Sequence, residues 1–133
     1  MCSCVLYAGN SNTQTIPAAS LTTINFGSPV RRYGQSVNLS GGNVNVTSVG
    51  YYSIETNFTL SAAAGDVTVQ IYADGVAVPN ASATITAVAD TIYSISIPCV
   101  IRNKCGCEQT ITAAITSEGA ASVTNAAIEV QKL

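Results

Sequence analysis

Apolar and polar residues alternate one by one along most of this chain, and the longest such run extends from Gly50 to Leu60. Tyr52, Ile54, Phe58 and Leu60 fall on one side of an extended backbone there, with Thr56 the one polar member of that set. Tyr51, Ser53, Glu55, Asn57 and Thr59 fall on the other. A period of two sends successive side chains to opposite faces of a strand, so the run predicts a strand with one buried face. At about 3.3 Å per residue it spans roughly 36 Å, enough to cross a small sandwich and to make it the expected central element.

The same period recurs in shorter pieces. Residues 2–8 read as a first strand, followed by a polar turn over 9–14, and Leu21, Ile24 and Phe26 as a short strand in a loop-rich region. Val37 with Leu39 and Val44 with Val46 flank the Gly41-Gly42 turn, and Val67, Val69 and Ile71 alternate with polar neighbours up to Asp74-Gly75. That dipeptide predicts a hairpin, because a primed turn needs positive φ, which Gly supplies and Asp tolerates. Pro79-Asn80 is expected to end the returning strand, and residues 82–87 to start another. From Thr91 to Pro98, Tyr93, Ile95 and Ile97 share a face opposite Ser94 and Ser96, whereas residues 99–107 read as a connection. Residues 110–116 and 123–133 close the pattern, the latter with Ala126, Ile128 and Val130 on one side.

No window repeats apolar residues at helical spacing, so the prediction is an all-β chain of roughly eight to ten strands. Their number and spacing point to a two-sheet antiparallel jelly-roll sandwich. A length of 133 residues fits one domain over 1–133, with residues 1–20 as an N-terminal strand and loop arm.

Composition sharpens this picture. Only 9% of residues are charged against 47% hydrophobic, and the many Thr, Ser and Asn residues favour strands and turns over surface helices. A surface so poor in charge is expected to be partly covered by other subunits. The net charge is −2, and Arg31, Arg32, Arg102, Lys104 and Lys132 are too few and dispersed for a nucleic-acid footprint. The N-terminus lacks the pattern of a signal peptide, and no apolar run approaches the ~20 residues of a membrane helix. Synthesis in a cytoplasm, with neither nucleic acid nor membrane as partner, is the expectation.

Cysteines stand at 2, 4, 99, 105 and 107, four of them as two Cys-X-Cys pairs. On an extended strand an i, i+2 pair shares a face, so Cys2, Cys4, Cys105 and Cys107 could bind zinc tetrahedrally if the two pairs met. Thiolate zinc sites more often use two intervening residues, and no metal or other cofactor is expected. Reduced thiols are the default in a reducing compartment, and disulfides within or between subunits come next, ahead of metal. Cys99 reads as a small buried hydrophobe.

The chain contains no histidine, which removes Ser-His-Asp and Cys-His catalysis, and it has no glycine-rich phosphate loop. Glu55 and Glu129 could meet on neighbouring strands, but carboxylates on a polar sheet face are common, and an enzyme is not expected. Arg31-Arg32-Tyr33 and Arg102-Asn103-Lys104 read as solvated loops or as grips on an acidic partner surface, since Arg forks suit carboxylates and stack on aromatics.

Gly50-Tyr51-Tyr52-Ser53-Ile54 resembles the Gly-Tyr-aromatic strand of tumour necrosis factor-like and complement-type globular domains. The segments 24–34, 39–43, 74–79 and 97–107 look like small β proteins among the structural genes of tailed phages, taken to be head fibre or capsid decoration proteins. The resemblance implies a homotrimeric jelly roll on a virion, made in the host cytoplasm, with itself and the major capsid protein as partners. It also implies that the long strand and the last one lie in a sheet lining a three-fold axis. Ser53, Glu55, Asn57, Thr59, Ser94, Ser96, Asn125 and Glu129 would then form the trimer interface, and Arg31, Arg32, Tyr33, Arg102 and Lys104 the capsid contact. No stalk is present, which favours a compact knob. The alternative is a carbohydrate- or receptor-binding module of a tail or fibre, and a third reading is a cytokine-like or spore-surface trimer.

Overall fold

A computed structural model describes residues 4–133. In chain order the strands are β1 (Val5–Asn10), β2 (Gln14–Ile16), β3 (Thr22–Thr23), β4 (Ser28–Tyr33), β5 (Val37–Ser40) and β6 (Asn43–Val46). They continue as β7 (Gly50–Ala62), β8 (Gly65–Ala73), β9 (Val76–Ala87), β10 (Ile92–Asn103), β11 (Gln109–Ser117) and β12 (Ala121–Lys132). No helix is present among the described residues.

The strands form two antiparallel sheets of six. The first has the order β10-β7-β12-β1-β4 with β2 beside β12, and the second β5-β6-β11-β8-β9 with β3 beside β11. This is a jelly roll, as the strand pattern predicted.

β7 is the longest strand, and its alternation holds through the whole element: Tyr52, Ile54, Thr56, Phe58 and Leu60 are buried. They face a continuous core that includes Phe26, Val69, Ile71, Ile111, Ile115 and Ile128. The two polar groups that this face buries are satisfied, as burial demands. Thr56 Oγ1 donates to Ile97 O at 2.9 Å. The Tyr52 hydroxyl donates to Ser48 O at 2.7 Å and accepts from Ser48 N–H at 3.2 Å.

Three prolines lie inside strands, Pro29 in β4, Pro79 in β9 and Pro98 in β10, and each of these strands is a sheet edge. An edge strand turns some N–H groups away from any ladder, so the missing donor costs little there. This explains two departures from the pattern reading. β9 does not stop at Pro79-Asn80 but crosses it on a bulge, with Asn80 at φ 62° and a register shift opposite Gln70/Tyr72. Gln70 Nε2 closes the bulge by donating to Ile71 O, Val78 O and Ala81 O at 2.8, 3.1 and 3.2 Å. β10 likewise runs past Pro98 to Asn103, because residues Gly50–Ile54 of β7 still offer it a ladder.

Two further departures lie near the N-terminus. Residues 28–33 form the edge strand β4 and not a loop. The strand expected at Leu21–Phe26 shrinks to β3, with Ile24 and Phe26 buried through single bonds from Ile24 N to Ala113 O and from Phe26 N to Gly42 O. The short β2 and β3 bring the total among the described residues to twelve strands, above the predicted range. The Asp74-Gly75 hairpin is present between β8 and β9, with φ 50° and 79° at its two central residues. Asp74 Oδ1 also accepts from Thr110 N–H at 2.9 Å, tying the turn to β11.

Candidate functional site

The outer face of the first sheet is built by the same alternation that builds the core. Register sets its side chains in rows across the strands. One row runs Arg31, Tyr7, Glu129, Glu55, Pro98 from β4 to β10. The rows on one side of it carry Ala127, Asn57 and Ser96, then Asn125, Thr59 and Ser94. On the other side come Tyr33, Val5, Gln131, Ser53 and Val100, then Tyr51 beside Arg102.

All eight residues predicted for an interface therefore share this one face. Within the sheet, Ser94 Oγ and Ser96 Oγ both donate to Asn57 Oδ1, at 3.1 and 3.5 Å. Glu55 and Glu129 are directly opposite partners on β7 and β12. Ala127 is too small to fill its place beside them, which leaves an open depression of about 430 Å³ bordered by Tyr7, Glu55, Asn57, Ser96, Pro98 and Glu129.

The half of the face nearer the β7 N-terminus is aromatic and aliphatic. Tyr7, Tyr33, Tyr51 and Val100 are 44%, 67%, 51% and 56% exposed, and Ile92 at the opposite end reaches 75%. The pattern reading did not single out Tyr7, Val100 or Ile92. Their signal was available in the sequence, since each lies one position from a residue that faces the core.

The residues proposed to touch a capsid are not a separate patch. Arg31 and Tyr33 point outward from β4 and Arg102 from β10, all onto this same face. Arg102 lies over the Tyr51 ring, 5.5 Å from its centroid. Arg32 turns the other way and donates through Nε to Val37 O at 3.0 Å. Lys104 alone of the five sits in a loop, exposed, between β10 and β11.

Cys4 does not approach the second Cys-X-Cys segment. Cys2 lies outside the described residues. Cys4 is buried at the start of β1, against Gly34. Cys105 and Cys107 sit beyond the end of β10, and β7 and β12 lie between β10 and β1, a gap of roughly 14 Å at the spacing of paired strands. Cys105 and Cys107 form a disulfide with each other, so the extended geometry assumed for an i, i+2 pair does not apply to them. No group of three or more His, Cys, Asp or Glu that could hold a metal is found among the described residues. Cys99 is half-buried on β10, and burial pushes its thiol pKa up.

No protein-family model and no curated protein sequence matches the chain. Solved structures do. Murine APRIL superposes with a TM-score of 0.78 at 17% identity, covering 98% of this chain and 99% of that one. Vertex protein P5 of PRD1 gives 0.69 at 16% identity, covering 100% and 99%. The globular domain of zebrafish complement 1qA gives 0.66 at 10%, covering 98% and 96%. At such identities the likeness is one of fold, and the chain folds as the jelly roll of tumour necrosis factor-like and complement globular domains.

Proposed function

We propose that this protein is a structural component of a phage virion, assembled as a homotrimer through the outer face of the first sheet and displayed on the particle as a compact knob. One observation carries the reading: a single sheet face gathers the eight expected interface residues and the exposed Tyr7, Tyr33, Tyr51, Ile92 and Val100. Side chains of this kind gain most from being covered, and the Asn, Ser and Glu side chains among them can supply hydrogen bonds across a subunit boundary. Arg31 and Arg102 lie at opposite edges of the face and the Glu55–Glu129 pair at its centre. An edge of one copy placed on the centre of the next thus joins opposite charges. The fold shared with a vertex protein supports the virion setting, and the folds shared with tumour necrosis factor-like and complement domains support three-fold assembly.

Capsid decoration and receptor binding separate by location. A decoration protein co-purifies with heads at a copy number tied to capsid symmetry. A tail receptor module co-purifies with tails and retains a glycan, for which the depression beside Tyr7 and Asn57 is the place on this face. Detection at the tail tip alone would overturn the decoration reading.

A further inference from the structure

We propose that Cys105-Gly106-Cys107 is a thiol–disulfide exchange site that takes a small thiol as its co-reactant. Both cysteines are exposed, in the connection between β10 and β11, and their Cα atoms are 5.2 Å apart. Gly106 at φ 70° lets the chain turn back between them.

Hydrogen bonds from a buried side chain hold this loop in addition to the sulfur–sulfur bond. Asn103, only 3% exposed, holds the loop from below. Its Nδ2 donates to Val46 O at 3.3 Å and to Cys107 O at 2.8 Å, and its Oδ1 accepts from Gly106 N–H at 3.1 Å. A disulfide joining residues two apart closes so small a loop that it removes little freedom from the unfolded chain. It is therefore a poor staple. A bond that is exposed, short in span and carried on a loop with hydrogen bonds of its own suits exchange.

The surroundings favour one direction of attack. Cys107 N–H lies 3.2 Å from Cys105 Sγ, a donor closer to a thiolate there than the Asn103 Oδ1 acceptor at 3.9 Å. Lys104 adjoins Cys105 in sequence, and Arg102 and Lys104, together with Asp74 and Glu108, line the cleft of about 350 Å³ alongside. Cations near a sulfur stabilise its thiolate. A cleft that offers both signs of charge suits a thiol carrying ammonium and carboxylate groups.

A thiolate RS⁻ attacks Cys107 Sγ, the Sγ–Sγ bond breaks, and Cys105 leaves as the thiolate while R–S–Sγ forms on Cys107. A second RS⁻ then attacks the sulfur of the bound R group, releasing RSSR and the Cys107 thiolate. Two protons are taken up, and two electrons have passed from two thiols to the protein. The reverse sequence, with RSSR as oxidant, restores the disulfide.

The test equilibrates the full chain in buffers of varying reduced to oxidised glutathione ratio, quenches by alkylation and reads each cysteine by mass. The expected result is reversible interconversion of the 105/107 pair across the series, a transient glutathione adduct, and an unchanged β-sheet circular dichroism signal. A pair that stays oxidised in large excess of reduced glutathione, or reduced in large excess of the oxidised form, would overturn the proposal. So would reduction that unfolds the chain, since the bond would then be structural. The readouts use the unaltered chain, and no outcome depends on trimerisation or on a virion setting.

Discussion

Glu55 on β7 and Glu129 on β12 face each other across one rung of the ladder, both exposed at the centre of the first sheet's outer face. Like charges directly opposite on adjacent strands oppose the fold that pairs them, by up to about 1 kcal/mol. Replacing Glu55 by Gln should therefore raise the stability of the dissociated chain by about 0.2–1 kcal/mol, measured by denaturant titration at low protein concentration. A loss of stability would mean that the two carboxylates have a favourable partner within the chain.

Thr56 presents the opposite case, a polar side chain on the buried face that is fully used. Its hydroxyl reaches Ile97 O on the edge strand β10. Thr56→Val keeps the shape but leaves that carbonyl short of a donor, and should destabilise the chain by about 1–3 kcal/mol in urea. No change would show that the carbonyl finds another partner.

The β8–β9 turn depends on Gly75, held at φ 79° in open space. A Cβ there meets no neighbouring atom, so Gly75→Ala isolates the backbone cost, about 1–2 kcal/mol by thermal unfolding. A smaller effect would mean that the turn relaxes to another type.

Burial raises the pKa of the Cys99 thiol. The neutral form is favoured in the folded state, so its contribution to stability is complete below the ordinary thiol range. It is lost as pH rises from the unfolded pKa through the folded one, because the unfolded chain then binds fewer protons. Cys99→Ala should lose less stability between neutral and strongly alkaline pH than the unaltered chain, and Cys99 should alkylate more slowly than a free cysteine at neutral pH. Equal alkaline losses in the two chains would contradict this.

The fold was legible wherever a strand has one wet and one dry face. β7, β8 and β12 announce themselves by period, and Asp74-Gly75 by turn chemistry. β4 was not legible because all six of its residues are exposed, which leaves no period to read. The continuity of β9 and β10 was hidden by Pro79 and Pro98, since a proline breaks a central strand but not an edge, and edge position is a property of the assembled sheet. The outward side chains of β7, β10 and β12 followed directly from their buried neighbours. The cysteine pairing did not follow, because a disulfide between Cys105 and Cys107 needs the turn at Gly106, whereas the i, i+2 argument assumed an extended strand.

The central claim is that the outer face of the first sheet is where copies of this chain meet, and the most direct measurement is the solution mass by light scattering of the unaltered chain beside Asn57→Arg. Asn57 is exposed in the middle of that face, so the substitution leaves the core intact while placing a long cation on the proposed contact. The account predicts a mass three times that of the 13.6 kDa chain for the unaltered protein, and a folded monomer for the variant. A stable monomer of the unaltered protein at micromolar concentration, or an Asn57→Arg variant that remains trimeric, would contradict it.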